Sequence, residues 1–313
     1  MSDKTILEPA IGVIGGSGLY EMEGLGEISE LSVKTPFGDP SDKIITGRIA
    51  GRKVCFLPRH GVGHRLLPHE INHRANIWAL RSLGVRWLVS VTAVGSLREE
   101  LRPRDIVVPD QLIDRTGTGA KHTFFGNGIA AHVGFADPYC NDLRQHLLTA
   151  ARAVAPGTHA GGTYLCMNGP AFSTRAEAAM HRMLGADLIG MTNAPEARLS
   201  REAEIAAAAL ALVTDYDCWK EDEEAVEVDA VVANLHANSA LAKRIVRDVI
   251  PLIPETPASP THRALATALF TPREAWPAKT ASDLSPILGR FGCNDIEYLE
   301  SPEHGLASAR TTE

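Results

Sequence analysis

The chain contains no apolar run near the roughly 20 residues that a bilayer-spanning helix needs. Its first residues, MSDKTILEPAIGVIGG, show no basic start, no long apolar stretch and no small-residue cleavage site. Neither a membrane span nor a secretory signal is therefore expected. There is no CxxC pair, and the five cysteines (Cys55, Cys140, Cys166, Cys218, Cys293) are odd in number and scattered. That argues against a zinc ribbon or a disulfide scaffold and for a reducing compartment. A basic block is also missing: 31 Lys plus Arg stand against 38 Asp plus Glu, a net charge of −7, so nucleic acid is not an expected partner. No internal repeat is present. What remains is 313 residues, 44% hydrophobic and 22% charged, the balance of a soluble globular protein with a sizeable core. The length admits one large domain or two, and a cytoplasmic enzyme is the default expectation.

Short β-branched runs alternate with helical patterns. Strands are expected over Ile11–Ile14, Lys53–Leu57, Trp87–Thr92, Ile106–Pro109, Gly162–Met167, Asp187–Met191 and Ala207–Thr214. Helices are expected over Glu70–Leu83, Cys140–Val154, Thr174–Leu184 and Ala230–Ile250, the third opened by a capping box, Thr174-Arg-Ala-Glu177. Strands buried on both faces with helical connections predict a single α/β domain around a twisted, largely parallel mixed sheet flanked by helices. Pro251–Pro260, with four prolines, reads as a connector. Short helices are expected over Thr261–Leu269 and Ala281–Leu288, and a frayed end after them.

Several segments carry chemistry. Ile11–Gly18 runs from a buried strand into glycines and Ser17, which suits an anion or an ordinary strand turn; no Walker lysine follows, and the dinucleotide spacing fails at Glu21. Pro58-Arg-His-Gly61 offers a guanidinium fork and a histidine, with His64 nearby. His69-Glu-Ile-Asn-His73 is a literal HExxH. Pro68 before it places the motif at a helix start, not mid-helix as in zincins, and no third ligand follows, so no metal site is expected. Ser90–Ser96 is expected to end a strand in a small-residue turn, with Thr92 and the Ala93 amide as anion donors; Gly190-Met191-Thr192 ends another. In Thr214-Asp-Tyr-Asp-Cys-Trp219, Asp215 and Asp217 leave a buried strand at i and i+2, which projects both to one face. Two adjacent carboxyls raise each other's pKa above the usual value of about 3.9, so one can act as an acid at neutral pH; a solvated turn or a Mg²⁺ site are the alternatives.

Together IGVIGGSGLY, TPFGDPSD, FLPRHGVGH, INHRANIWAL, SVTAVGSL, MNGPAFSTRAE, IGMTNAPEA and TDYDCWKEDEEAVEVD resemble the methylthioadenosine phosphorylase branch of the trimeric purine nucleoside phosphorylases, over about residues 11–248. The resemblance implies one phosphorylase-like domain over 1–297, its part from 251 onward poorly matching, and a flexible tail over 298–313. It implies reversible phosphorolysis of 5′-deoxy-5′-methylthioadenosine to adenine and 5-methylthioribose 1-phosphate, with inorganic phosphate as co-substrate and no metal or other cofactor. By matching position, Ser17, Arg59, His60, Thr92, Ala93 and Thr192 are implied to bind phosphate, and Met191 to contact ribose. Ser173, Asp215 and Asp217 are implied to hold adenine, with Phe172 lining the base pocket. Asp215 is expected to meet purine N7, with Asp217 supporting it and the exocyclic amine. His64, Val228 and Val231 are implied to line the methylthio pocket. His132 is implied to reach that pocket from a neighbouring subunit of a homotrimer. Ser17 stands where the family often has Thr, and Asn193 replaces a frequent Thr beside Met191-Thr192, where it is expected to adjust sugar or phosphate contacts. A phosphorylase of the same fold acting on 6-oxopurine nucleosides such as inosine or methylthioinosine, more distantly a zinc hydrolase built on His69 and His73, and a non-catalytic nucleotide-binding protein with a vestigial site are the rival readings.

Overall fold

The structure is a computed structural model and describes residues 5–16, 19, 21, 23–117, 122–220, 228–292 and 296–298. In chain order the elements are β1 (Thr5–Leu7), β2 (Ala10–Gly15), β3 (Gly26–Leu31), β4 (Ile44–Ile49), β5 (Arg52–Pro58), α1 (His73–Ser82), β6 (Val85–Ser96), β7 (Ile106–Val108) and β8 (Gln111–Asp114). They continue with α2 (Asn141–Val154), β9 (His159–Ala160), β10 (Thr163–Cys166), α3 (Arg175–Met183), β11 (Leu188–Gly190), α4 (Asn193–Glu202) and β12 (Ala206–Asp215). The last are α5 (Val228–Val249), α6 (Ala278–Asp283), α7 (Ser285–Leu288) and β13 (Ile296–Tyr298). Eleven strands form one mixed sheet in the order β3-β4-β5-β2-β6-β11-β10-β8, with β12 beside β6 and β7 bridging β12 to β9. β1 and β13 pair separately, in parallel.

The central strands are buried on both faces, which is why they read as unbroken apolar runs. In β12 the side chains alternate between helical layers with the strand period of two. Ala206, Ala208, Leu210 and Leu212 face a cluster that includes Leu143 and Leu147 of α2 and Ile245 and Val249 of α5. Ala207 faces the opposite layer, built from Ile77 and Leu80 of α1 and Leu199 of α4.

The expected strands are all present, within a residue or two at most ends. β6 departs from expectation in length. The turn expected over Ser90–Ser96 does not form, because the strand gains a new partner: β11 pairs antiparallel with Gly95 and Ser96. The helix expected from Glu70 begins at His73 instead. Pro68–Glu70 forms a separate 3-10 turn, and the Asn72 side chain accepts the Ala75 N–H to cap α1. The Thr174/Glu177 capping box is present, with Glu177 N–H donating to Thr174 Oγ1 at 3.2 Å and Thr174 N–H to Glu177 Oε2 at 2.7 Å. α4, β1, β3, β4, β8, β9 and β13 are additional to the expected elements.

The segment after Pro251 is built into the main core. Arg52 donates to the carbonyls of Ile253 and Pro254, and Trp78 Nε1 donates to Asp283 O at 2.8 Å. The His262 ring meets Trp87 edge-on, while Leu265, Ile287 and Leu288 are buried in the α1/α4 layer. Arg290 forks onto Glu204, whose side chain is fully buried. The helix expected over Thr261–Leu269 is only a 3-10 turn at Pro260–Arg263, and the one over Ala281–Leu288 is split into α6 and α7. Of the expected tail 298–313, Tyr298 ends β13 and the rest lies outside the described residues.

Candidate active site

The change of partners along β6 opens the site. On one edge β6 pairs with β2 as far as Ser90, opposite Ile14, and with β11 from Gly95 onward. Between them Val91–Val94 have no strand on that edge, while β12 holds the other edge throughout. This is a topological switch point at the carboxyl ends of strands, where α/β sheets collect ligands. A cavity of about 360 Å³ lies there. It is lined from β6 by Thr92, Ala93 and Gly95, from the ends of β5 and β11 by Arg59, His60, Met191 and Thr192, and from the end of β12 by Asp215 and Asp217.

One corner suits an anion. Arg59 is buried, and its fork is held in place: Nε and Nη2 donate to Glu196 at 2.5 and 3.0 Å, Nη2 to Ser90 Oγ at 2.9 Å, and Nη1 to Val91 O at 2.9 Å. One Nη1 hydrogen of the five remains without a partner among the described residues. Burial disfavours the Glu196 charge, yet the Arg59 charge and hydrogen bonds hold its carboxyl below the usual range. Thr192 is the N-cap of α4 but its hydroxyl makes no capping bond, so that hydroxyl is free to face a ligand, while the Asn193 and Ala194 amides turn to the Cys166 thiol. His60 places Nδ1 2.8 Å from the Leu66 carbonyl. A carbonyl only accepts, so Nδ1 carries the hydrogen and Nε2 keeps a lone pair. Burial, and then the Arg59 charge, push this imidazole down to about 4, so it is neutral at physiological pH. It stacks on His64 with centroids 4.2 Å apart.

The opposite corner holds the two carboxyls. They converge, but not through strand alternation as expected. β12 ends at Asp215, and Asp217 sits in the left-handed region at φ 53°. The turn is set by Asp215 Oδ1 accepting the Asp217 N–H at 2.8 Å, the local side-chain bond that aspartate makes in turns. Asn234 and Asn238 of α5 donate to the Thr214 and Val213 carbonyls and brace the strand end. The two acids differ. Asp215 also accepts from Thr214 Oγ1 at 2.6 Å, whereas Asp217 Oδ2 is buried without a hydrogen-bond partner. Burial pushes the Asp217 carboxyl up to about 6, with the neighbouring Asp215 charge adding to the rise and the Ser173 hydroxyl opposing it. A Cβ on Gly95 would stand 3.0 Å from Asp215 Oδ1, so only glycine lets β6 approach the pair this closely.

The cavity thus gathers eleven of the expected residues: Arg59, His60, His64, Thr92, Ala93, Phe172, Ser173, Met191, Thr192, Asp215 and Asp217. Ser17 and the side chains of Val228 and Val231 lie outside the described residues. His132 is not in the cavity of its own chain; it is exposed and meets the outward-facing Phe270 edge-on at 5.1 Å. Asn193 does not touch the sugar or anion space as expected. It is buried behind it, bonded to Ser90 and Tyr139. The HExxH histidines do not share a helix face: His69 is exposed in the 3-10 turn, His73 opens α1, and Glu70 accepts the Leu67 N–H. Among the described residues no group of three His, Cys, Asp or Glu is placed to hold a metal, and no helix is long and apolar enough to cross a membrane. Glu196, Ser90 and Gly95 were not singled out in the sequence. A buried glutamate in a helix without an apolar stripe carries no local signal of its partner.

Known proteins are similar to this chain in sequence and fold. The phosphorylase superfamily profile matches residues 10–251. A Geobacter sulfurreducens protein named S-methyl-5′-thioadenosine phosphorylase is 53% identical over 91% of this chain and all of its own length. A Gloeobacter violaceus protein of the same name is 53% identical over 90% of this chain and 95% of its own. The crystal structure of a methylthioadenosine phosphorylase from an antarctic soil metagenomic library superposes with a TM-score of 0.85 at 48% identity, covering 90% of this chain and 99% of the other. Methylthioadenosine phosphorylase from Schistosoma mansoni in complex with adenine gives 0.71 at 38% identity, over 78% of this chain and 92% of that one. The chain belongs to the phosphorylase superfamily.

Proposed function

We propose that the chain catalyses the reversible phosphorolysis of 5′-deoxy-5′-methylthioadenosine, giving adenine and 5-methylthioribose 1-phosphate, with inorganic phosphate as co-substrate and no further cofactor. The observation that carries the reading is the pairing, in one cavity, of an anion corner with a carboxyl pushed up to about 6. The names of the relatives, at 53% identity over nearly their whole length, support the substrate.

Arg59, Thr92, the Ala93 amide, Thr192 and Ser17 donate to phosphate below the sugar, and the His60 Nε2 lone pair accepts the hydroxyl of monohydrogen phosphate. As the C1′–N9 bond lengthens, the sugar gains oxocarbenium character, and the phosphate oxygen both stabilises that charge and forms the new bond to C1′. The electron pair of the broken bond goes to the purine, whose N7 takes a proton from the Asp215/Asp217 pair. Met191 packs against the ribose, and Phe172 and Ser173 border the base. Adenine donates from its 6-amino group, which a carboxylate accepts; a 6-oxopurine would present an acceptor and be repelled. His64, Val228 and Val231 line the methylthio end. Phe172 and Leu67 on the cavity wall are exposed, and a neighbouring copy in a homotrimer covers them, bringing its own His132. The free thiols Cys55, Cys140, Cys166 and Cys218 suit a cytoplasmic setting.

Purified protein incubated with methylthioadenosine should release adenine only when phosphate is added. Release without phosphate overturns the reading in favour of hydrolysis, and activity lost to a chelator overturns its metal-free chemistry.

A further inference from the structure

Behind the anion corner runs a hydrogen-bonded chain of five buried side chains that does not enter the cavity except at its first member. Arg59 donates twice to Glu196. Ser90 Oγ donates to Glu196 Oε2 at 2.5 Å and accepts from Arg59 Nη2 at 2.9 Å and Asn193 Nδ2 at 3.0 Å. Its one hydrogen and both lone pairs are spoken for. Asn193 Oδ1 in turn accepts the Tyr139 hydroxyl at 2.5 Å. Arg59 and Glu196 are 3% and 2% exposed at their side chains, so neither can turn to water without leaving a partner orphaned.

The arrangement is odd for plain electrostatics. An uncompensated guanidinium would attract phosphate more strongly, yet a carboxylate sits against it and cancels its charge. Nor is stability a sufficient reason, since buried ion pairs are often matched or bettered by apolar packing of the same volume. What the carboxylate does provide is orientation. With four of the five donors committed to Glu196, Ser90 and Val91 O, the plane of the fork is locked and its remaining hydrogen points one way.

We propose that Glu196 is a positioning residue for the phosphate co-substrate: it fixes the Arg59 guanidinium so that a single Nη1 hydrogen meets the oxyanion, and Ser90 and Asn193 fix Glu196. The inference rests on the phosphorolysis reading above. Because Glu196 acts only through Arg59, its loss weakens phosphate selectively and leaves the nucleoside end alone.

The test compares wild type with Glu196→Gln, Glu196→Asp and Ser90→Ala, titrating inorganic phosphate by calorimetry and measuring KM for phosphate and for methylthioadenosine separately. Glu196→Gln keeps the shape but turns an amide N–H₂ toward the guanidinium. Its phosphate KM and Kd should rise about tenfold or more, the scale of one charge-assisted hydrogen bond, while the nucleoside KM stays within about twofold. Glu196→Asp keeps the charge and should fall between the two. Ser90→Ala removes the three hydrogen bonds of that hydroxyl, to Glu196, Arg59 and Asn193, but leaves the Arg59–Glu196 ion pair intact; it should fold even if Glu196→Gln does not, and should raise the phosphate KM by about threefold to tenfold. Phosphate and nucleoside constants rising together, or a lowered Tm with phosphate affinity intact, overturn the proposal and make the chain purely structural. Failure of the functional reading is separate: there, wild type itself releases no adenine with phosphate present.

Discussion

Asp217→Asn is the sharpest probe of the acid. The carboxyl is pushed from an ordinary 3.8 up to about 6 by burial and by Asp215. At pH 7 an acid of pKa about 6 is protonated in about one molecule in eleven, and one at 3.8 in about one in 1600. The cavity therefore enriches the proton-carrying form by about 150-fold, within the range of about 10²- to 10⁴-fold that general acids contribute. Asparagine keeps the shape and cannot release a proton. The kcat/KM for methylthioadenosine should then drop by about 10²- to 10³-fold at pH 6. Phosphate ionises near neutrality in both proteins, so the ratio of wild type to variant at each pH isolates the side chain. That ratio should be flat below pH ~5.5 and fall about tenfold per unit above pH ~6.5, as Asp217 ionises. Stability gives a second readout with a defined sign. A carboxyl raised in the folded state contributes stability that is complete below 3.8 and lost as pH rises through about 6. The Tm of wild type should decline relative to the variant across that window. A rate ratio constant from pH ~5 to ~8.5 would refute the assignment of a proton-carrying role to this residue.

Two further outcomes are expected. Arg290→Ala leaves Glu204, whose side chain is fully buried, as an unpaired carboxylate, at a cost of about 3 kcal/mol. Urea unfolding should register that loss while kcat/KM stays within about twofold, since neither residue lines the cavity; unchanged stability would mean that the segment after Pro251 does not depend on this clamp. Gly95→Ala sets a Cβ 3.0 Å from both Asp215 Oδ1 and Ile189 Cγ2, and the displaced carboxylate should reduce kcat by about tenfold or more with the fold intact. Full activity in that variant would show that the close approach of β6 to Asp215 is incidental.

How much of this was legible from the residues depends on what hides a segment from water. β2, β6 and β12 announce themselves because both their faces are covered, and a run such as Ala206–Val213, buried throughout, cannot be polar. The candidate site residues follow such runs because the carboxyl ends of β5 and β12, and that of β11 running antiparallel to β6, converge on the gap beside β6. Arg59 follows β5, Thr192 follows β11, and Asp215 closes β12. α4 escapes the same reading. Its buried positions include Asn193, Glu196, Ser200 and Glu202, so the apolar stripe that marks a helix is missing. Three of those polar side chains find partners far away in the chain: Glu196 meets Arg59, 137 residues back, Asn193 meets Ser90 and Tyr139, and Glu202 accepts from Thr123 and Phe124, while Ser200 Oγ has no hydrogen-bond partner among the described residues. No local pattern encodes such a pairing.

The acid pair shows a subtler gap between sequence and site. The spacing of Asp215 and Asp217 correctly places two carboxyls in one cavity, but strand geometry was the wrong reason. Alternation would put them side by side on an extended chain with equivalent surroundings. The turn makes them unequal: Asp215 spends its oxygens on the Asp217 amide and the Thr214 hydroxyl, and Asp217 is left with a buried oxygen and no donor for it. An acid needs that inequality, because two equally solvated carboxylates would both be ionised at neutral pH. The asymmetry arises from one left-handed residue at φ 53°, a conformation aspartate tolerates better than most side chains. A change that straightened this turn while keeping both carboxyls would therefore remove that inequality as surely as deleting Asp217 would.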